Sequence, residues 1–260
     1  MKKTALMIGA LGASALENPV AGEVPADSLP GTTMTFVSYG GGMQEAQKEA
    51  FSTPFSEATG ATVLDDGPTD MAKLQAQVES GNTTRDVVNA TPANAEAYCG
   101  ELFEPLDLER IDTSKIPEGI GSGECWVPSL TYMHGVFYNA ETYGDNPPTT
   151  WADFFDTEKF TPVYDAAIVA SDTFSIAKGS KNMDAAYAYI NFALGAEQQA
   201  GMTEGSGYSG VNVDAKPELD ALGNEFDIAQ HMEGTIPQNA EYWAENLDAL
   251  TADWSGYING

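Results

Sequence analysis

Residues 162–195 read PVYDAAIVASDTFSIAKGSKNMDAAYAYINFALG, and this stretch decides the fold. Residues 163–170 are apolar and rich in β-forming side chains, and residues 173–176 continue as an extended segment, so we predict two short strands interrupted at Asp172. A polar turn follows. Alanine and aromatic residues then recur at helical spacing until Gly195, which ends the predicted helix.

Asp172 admits two interpretations. Burying a carboxylate costs free energy unless the group is paired or hydrogen-bonded. An aspartate between two apolar segments is therefore either part of a solvated turn or a charge kept for a ligand. Taken without further context, the residues favour the solvated turn.

The chain before this stretch alternates between predicted strands and predicted helices. The strands fall at 33–38, 61–64 and 85–88, and the helices at 43–58 with a break near Pro54, at 69–81 and at 92–99. This alternation predicts a parallel α/β sheet. Ligands of such sheets bind beyond the carboxyl ends of the strands, where Tyr39 and residues 89–91 lie.

Three glycines at positions 40–42 follow Tyr39. Glycines let backbone amides approach a ligand at the N-terminus of the next helix. The G-x-G-x-x-G spacing of dinucleotide-binding turns is absent. The aromatic ring of Tyr39, at the end of a strand, is placed to face a cleft.

Composition limits the classes of function. The 260 residues suffice for one large domain or two small lobes, and 42% of them are hydrophobic. Eleven Lys and Arg against 39 Asp and Glu give a net charge of −28, which excludes sequence-independent binding of nucleic acid. The charge fits a cationic ligand, but a generally acidic surface or a salty habitat explains it equally well.

The N-terminal residues are typical of a secretory signal peptide. Two lysines precede an apolar stretch up to Leu16, and cleavage sites are permissible near residues 13–15 or 24–26. We therefore read residues 1–26 as a signal peptide and flexible lead, and we expect a periplasmic protein. No other apolar run approaches the roughly 20 residues of a membrane helix.

The sequence contains two cysteines, Cys99 and Cys125. In an exported protein an isolated pair is read first as a disulfide, although two free buried thiols are the alternative. The bridge would contribute about 3–4 kcal/mol in the chain-entropy model.

The residues of common catalytic and metal sites are missing from the sequence. His134 and His231 are the only histidines and belong to no zinc-binding pattern. There is also no G-x-S-x-G elbow and no phosphate-binding loop of the G-x-x-x-x-G-K-[ST] type. We therefore predict that the protein is not an enzyme and has neither a cofactor nor a metal.

The order of motifs resembles the polyamine-type extracellular solute-binding proteins of ABC importers. The resemblance rests on DTFSI at 172–176, the KGSKN turn and the helix after it, and on three further segments: AKLQAQVESGNTTRDVV at 72–88, LFEPLD at 102–107 and NPPTTWADFFDTEKF at 146–160. The placement of the cysteines is also similar. The resemblance implies an α/β type II periplasmic-binding-protein fold with two lobes and a cleft.

This resemblance divides the chain into two lobes. Lobe 1 comprises residues 32–131 plus 172–213, and lobe 2 comprises residues 132–171 plus 214–260, including a terminal helix. Family members carry several more elements where Phe160 meets Thr161 here. We therefore expect a reduced second lobe, truncated at the 160/161 join.

The resemblance also implies a ligand site. Asp172 would hold a ligand ammonium, and aromatic and polar residues would line the cleft. The candidate ligand-binding residues are Tyr39, Gly41, Asn89, Thr91, Asp172, Phe174 and Tyr208. The implied function is capture of a small cationic solute, a polyamine such as spermidine or putrescine, by a monomer that delivers it to an ABC permease in the membrane.

Two alternatives to this function stay open. The ligand could instead be an anion or a metal chelate held by the amides of residues 40–42. The truncated chain could also be a remnant with no transport role. We predict that Asp172→Asn weakens polyamine binding with little change in the stability of the ligand-free protein.

Overall fold

A single sheet contains all the strands in the part of the chain that the computed structural model describes, which is residues 19–134, 144, 168–233 and 235–259. The strands are β1 (Thr33–Val37), β2 (Thr62–Asp66), β3 (Val87–Ala90), β4 (Val127–His134), β5 (Ile168–Ile176) and β6 (Ile236–Pro237). The α-helices are α1 (Gly41–Gln47), α2 (Thr53–Thr59), α3 (Met71–Glu79), α4 (Pro92–Ala97), α5 (Met183–Ala193), α6 (Ala196–Ser206), α7 (Ala221–Phe226) and α8 (Ala240–Asn259).

The sheet is mixed rather than purely parallel. Its order is β2-β1-β3-β5-β4, with β6 added beside β5. The first three strands are mutually parallel, as the sequence predicts. Strand β5 runs antiparallel to both β3 and β4, so its beginning lies at the edge where β1 and β3 end.

Strand β5 corrects the prediction of two short strands broken at Asp172. It is one continuous strand that runs through this residue. Residues 173–176 pair with β3, and β4 pairs with the strand from Ile168 to Phe174. Because these neighbours supply hydrogen-bond partners for the backbone, the polar side chain does not interrupt the strand.

The helix after the glycine turn is not broken near Pro54, which corrects a second prediction. A π-helical segment, Lys48–Ser52, joins α1 to α2. In it the amide of Thr53 donates to the carbonyl of Lys48, one residue farther back than in an α-helix. Pro54 then falls in the first turn of α2, where its missing N–H is tolerated.

Strand β2 is longer than predicted and ends at Asp66, not at residue 64. The Asp66 carboxylate accepts hydrogen bonds from Arg85 and Lys73, and the Arg85 side chain is fully buried. These contacts hold Asp66 in the strand. They also lower the pKa of its carboxyl group, against the opposing effect of partial burial.

Helices cover both faces of the sheet. On one face, aromatic rings of the strands and helices pack with centroid distances between 5.3 and 6.3 Å; they belong to Phe36, Phe51, Phe55, Phe174, Tyr189 and Phe192. On the other face, Leu74, Val88 and Phe103 form a second buried cluster with Cys125. The two clusters fix the strands whose ends carry the candidate site.

The predicted disulfide is present between Cys99 and Cys125, with Cα atoms 5.5 Å apart. It ties the segment after α4 to the residue two positions before β4.

Several predictions fall on residues outside the described ones. They are the signal peptide within residues 1–18, residues 135–143 and 145–167 of lobe 2, and the 160/161 join. The terminal helix α8 contacts α4, so residues that we assigned to different lobes meet. No described helix is long and apolar enough to cross a membrane.

Candidate functional site

The carboxylate of Asp172 is the centre of the candidate site. Only 6% of the residue is exposed, and burial raises the pKa of its carboxyl group from the ordinary 3.8 to about 7. Within the described part of the chain, no hydrogen bond or ion pair reaches this carboxylate. The solvated turn, the simpler reading of the sequence, is therefore wrong. A buried carboxylate without a partner is costly, and it is the kind of group that a cationic ligand satisfies.

Two tyrosine side chains lie near Asp172, and a third contacts one of them. Burial and the nearby Asp172 charge raise the pKa of Tyr132 to about 12 and raise that of Tyr39 above its ordinary value. The ring of Tyr132 meets that of Tyr208 edge to face, with centroids 6.1 Å apart and planes at 86°. Tyr39 and Tyr208 remain partly exposed, so a ligand can reach both rings.

The sheet explains how residues distant in sequence meet. Tyr39 follows β1 at the edge where β5 begins. Asp172 on β5 lies opposite Leu130 on β4, and Tyr132 lies two residues farther along the same face of β4. Paired backbone hydrogen bonds between Thr131 and Ser209, 2.8 and 3.1 Å long, place Tyr208 beside Tyr132.

A cavity of about 210 Å³ opens beside these tyrosines. Tyr132 and Tyr208 form part of its wall, and Met133, Phe226 and Ile228 supply apolar surface. Its volume suits a small solute, and its apolar wall suits methylene groups.

Three predicted site residues make structural contacts. Asn89 is fully buried and bridges two strands, donating to Ser38 Oγ at 3.2 Å and accepting from Ser129 Oγ at 2.8 Å. Thr91 caps α4 by accepting from the amide of Asn94 at 3.3 Å. Phe174 is fully buried in the aromatic core and does not form a wall of the site.

Gly41 opens α1 with a φ of +64°, a backbone conformation that favours glycine. A Cβ there would meet nothing within 4 Å. The conformation, rather than lack of space, therefore accounts for glycine at this position.

Two residues of the site were missed in the sequence. Tyr132 is one, and His134 is the other: its ring lies edge to face against Tyr132, with centroids 5.3 Å apart and planes at 82°. The signal was the alternation along VPSLTYMH at 127–134, which places residues 130, 132 and 134 on one face of a strand.

No cluster of three or more His, Cys, Asp or Glu side chains able to hold a metal ion occurs among the described residues. The candidate site is one carboxylate with aromatic neighbours. It is suited to binding a cation.

Part of the sequence matches known proteins. Residues 50–164 match the family model of bacterial extracellular solute-binding proteins. Over 131 residues, the chain is 31% identical to the gamma-aminobutyric acid-binding protein of Pseudomonas aeruginosa. That alignment covers 49% of this chain and 37% of the relative, so the chain spans well under half of this curated protein.

Solved structures match over more of the chain. The structure of the Atu4243–GABA receptor aligns with a TM-score of 0.78 at 25% identity, covering 86% of this chain and 97% of that one. The periplasmic binding protein AgtB of Agrobacterium tumefaciens R10, in complex with agropinic acid, gives a TM-score of 0.70 at 22% identity over 88% and 99% of the two chains. A substrate-binding protein of an ABC transporter from Bradyrhizobium japonicum gives 0.76 at 18% identity over 87% and 99%. The predicted α/β fold of periplasmic binding proteins is thereby confirmed.

Proposed function

We propose that this chain is the solute-binding component of an ABC importer, and that it captures a small solute whose ammonium group binds Asp172. The protein would act in the periplasm and deliver its ligand to a permease. No catalytic step is part of this function.

One observation carries the proposal: a carboxylate that is almost fully buried, has no partner among the described residues and lies among tyrosines. An ammonium would give this carboxylate a charge-assisted hydrogen bond. The flanking rings add a favourable interaction between the cation and their faces. The ligand would thus supply a partner that the described residues do not.

Two kinds of amine are candidates for the ligand. The sequence resemblance favours a polyamine, whose methylene groups suit the apolar and aromatic walls. Two of the similar proteins are named for gamma-aminobutyric acid, which also carries one ammonium on a short methylene chain. Both solutes place an ammonium at Asp172.

Titration calorimetry on the purified protein tests the proposal. The ligands are putrescine, spermidine and 4-aminobutyrate, with butyrate as the matched solute that lacks an ammonium. We expect at least one amine to bind and butyrate to give no heat. Asp172→Asn should weaken amine binding by about 2–5 kcal/mol, the range for removing one partner of a buried charge pair.

Asp253→Asn is the matched control, because it makes the same change at an exposed position of α8. It should leave the affinity unchanged. Equal amine affinities for the wild type and Asp172→Asn would remove Asp172 from the site. If butyrate binds and Asp172→Asn does not weaken its binding, the alternative anion site is favoured. If the folded protein binds none of these solutes, the alternative of a truncated chain with no transport role is favoured.

A further inference from the structure

Asp172, Tyr132 and His134 form a row of side chains on one face of the sheet. His134 lies at the far end of this row from Asp172. It is the last residue of β4, and its side chain is on the same face as Tyr132, two residues earlier. The two rings are in contact, and His134 is exposed. An accessible imidazole therefore adjoins the tyrosine that also lies beside the Asp172 carboxylate.

The strand register fixes the spacing between the backbones of Asp172 and His134. Asp172 pairs with Leu130, and His134 lies four residues beyond Leu130 on the same strand. Four residues of strand correspond to about 13 Å between backbone positions. The ring of His134 contacts that of Tyr132, and the Asp172 charge raises the pKa of Tyr132, so both end groups lie near the same ring.

This spacing fits a ligand with opposite charges at its two ends. A four-carbon ω-amino acid spans about 5 Å from its nitrogen to its carboxyl carbon, at roughly 1.2 Å per bond of an extended chain. With a hydrogen bond of about 2.8 Å at each end, the two protein groups that hold such a ligand are about 10–11 Å apart. An imidazole N–H can donate to a carboxylate, whereas it carries no negative charge to offset a second ammonium.

We infer that His134 binds the carboxylate of the ligand while Asp172 binds its ammonium, with Tyr132 between them. The solute class of this site is then an ω-amino acid of about four carbons rather than a diamine. This inference rests on the proposed function, since it takes Asp172 as the ammonium site.

The experiment compares 4-aminobutyrate with n-butylamine, which has the same carbon count and ammonium but no carboxylate. Titration calorimetry should give the wild type an affinity for 4-aminobutyrate about 10- to 100-fold higher than for n-butylamine, as expected for a hydrogen bond to a charged group. In His134→Ala, the affinity for 4-aminobutyrate should fall to that for n-butylamine, and the affinity for n-butylamine should be unchanged. His134→Gln keeps an N–H donor and should retain part of the preference.

His231→Ala is the control, because it removes the other histidine of the sequence from a position outside the row. It should leave both affinities unchanged. Thermal unfolding of each variant checks that the protein is folded.

Two outcomes would overturn the inference and leave the proposed function standing. In one, both amines bind through Asp172 but the wild type does not prefer 4-aminobutyrate. In the other, His134→Ala weakens both ligands equally, as a structural defect would. Failure of every amine to bind the folded wild type would instead overturn the proposed function.

Discussion

Asp172 lowers the stability of the ligand-free protein above neutral pH. Because burial raises the pKa of its carboxyl group to about 7, the folded protein binds a proton that the unfolded chain releases near pH 3.8. The stability contributed by the protonated group is fully present below pH 3.8 and is lost as the pH rises through about 7. The loss is at most about 4 kcal/mol, since each pKa unit corresponds to about 1.4 kcal/mol.

Asp172→Asn should therefore stabilise the ligand-free protein, and by more at pH 8 than at pH 4.5. This result differs from the small change that we predicted from the sequence, where Asp172 has no defined environment. Urea unfolding at the two pH values measures the difference in free energy of unfolding. Asp253→Asn should show no such trend, and a stabilisation that does not grow with pH would contradict the burial of an ionised carboxylate.

The affinity for an amine should depend on pH for the same reason. Below about pH 7 a proton competes for the Asp172 carboxylate, so the affinity for n-butylamine should fall about tenfold per pH unit. Tyr39 and Tyr132 keep their protons in this range, because their pKa values are raised. n-Butylamine has no carboxylate, so an interaction of a ligand carboxylate with His134 does not contribute to the pH dependence of its affinity.

Calorimetry from pH 5 to pH 8 measures this dependence. The pH dependence of the affinity should vanish in Asp172→Asn. A flat profile for the wild type would show that the amine does not bind this carboxylate.

On the scale of single elements, one face of β5 passes from the core into the site. Ile176 and Phe174 lie on the same face of the strand as Asp172, because side chains alternate. The first two belong to the aromatic core. The position along the strand, not the face, therefore separates core residues from the candidate ligand-binding residue Asp172.

Variants of Phe174 and Tyr208 should separate stability from binding. Phe174→Ala should cost about 3–5 kcal/mol of stability, as large-to-small changes in a core do. The milder Phe174→Leu should stay folded and bind an amine as the wild type does. Tyr208→Ala should weaken binding with little loss of stability, since Tyr208 is 37% exposed.

Thermal unfolding and calorimetry on the three variants measure both effects. Weaker amine binding by folded Phe174→Leu would return Phe174 to the list of wall residues, as first predicted from the sequence.

The disulfide should stabilise the fold by constraining the unfolded chain. Its cysteines are 26 positions apart, for which the chain-entropy model gives about 3–4 kcal/mol. Replacing both cysteines by serine should lower the free energy of unfolding by that amount. Denaturant unfolding of the double variant measures it, and the untreated wild type should react with no thiol reagent even when unfolded.

The sequence predicts elements better than it predicts contacts. The first three strands and α4 follow from local patterns, and so does the location of Tyr39 after the end of a strand. The continuity of β5 depends on its two neighbouring strands, and the contacts of Tyr132 and His134 depend on the register of β4 with β5. The hydrogen bonds of Asn89 and the burial of Phe174 could not be predicted, because a strand sequence does not show which neighbours pack over each end of one face.

For the whole molecule, the net charge of −28 should make stability depend on salt. Charges of one sign repel each other more in the compact state than in the unfolded chain. Raising the salt from ~10 mM to ~1 M shortens the Debye length from ~30 Å to ~3 Å and screens this repulsion. The melting temperature should therefore rise with NaCl, as thermal shift can measure, and a fall would show that attractive ion pairs dominate.

The burial of Asp172 bears on how this chain would change over generations. A protein no longer selected for binding would accumulate replacements at random, and most uncharged replacements at position 172 would make it fold better. Under neutral drift this aspartate should be among the first residues of the site to disappear, well before the aromatic core. Its fate in descendants of the sequence would thus report whether natural selection still acts on ligand capture.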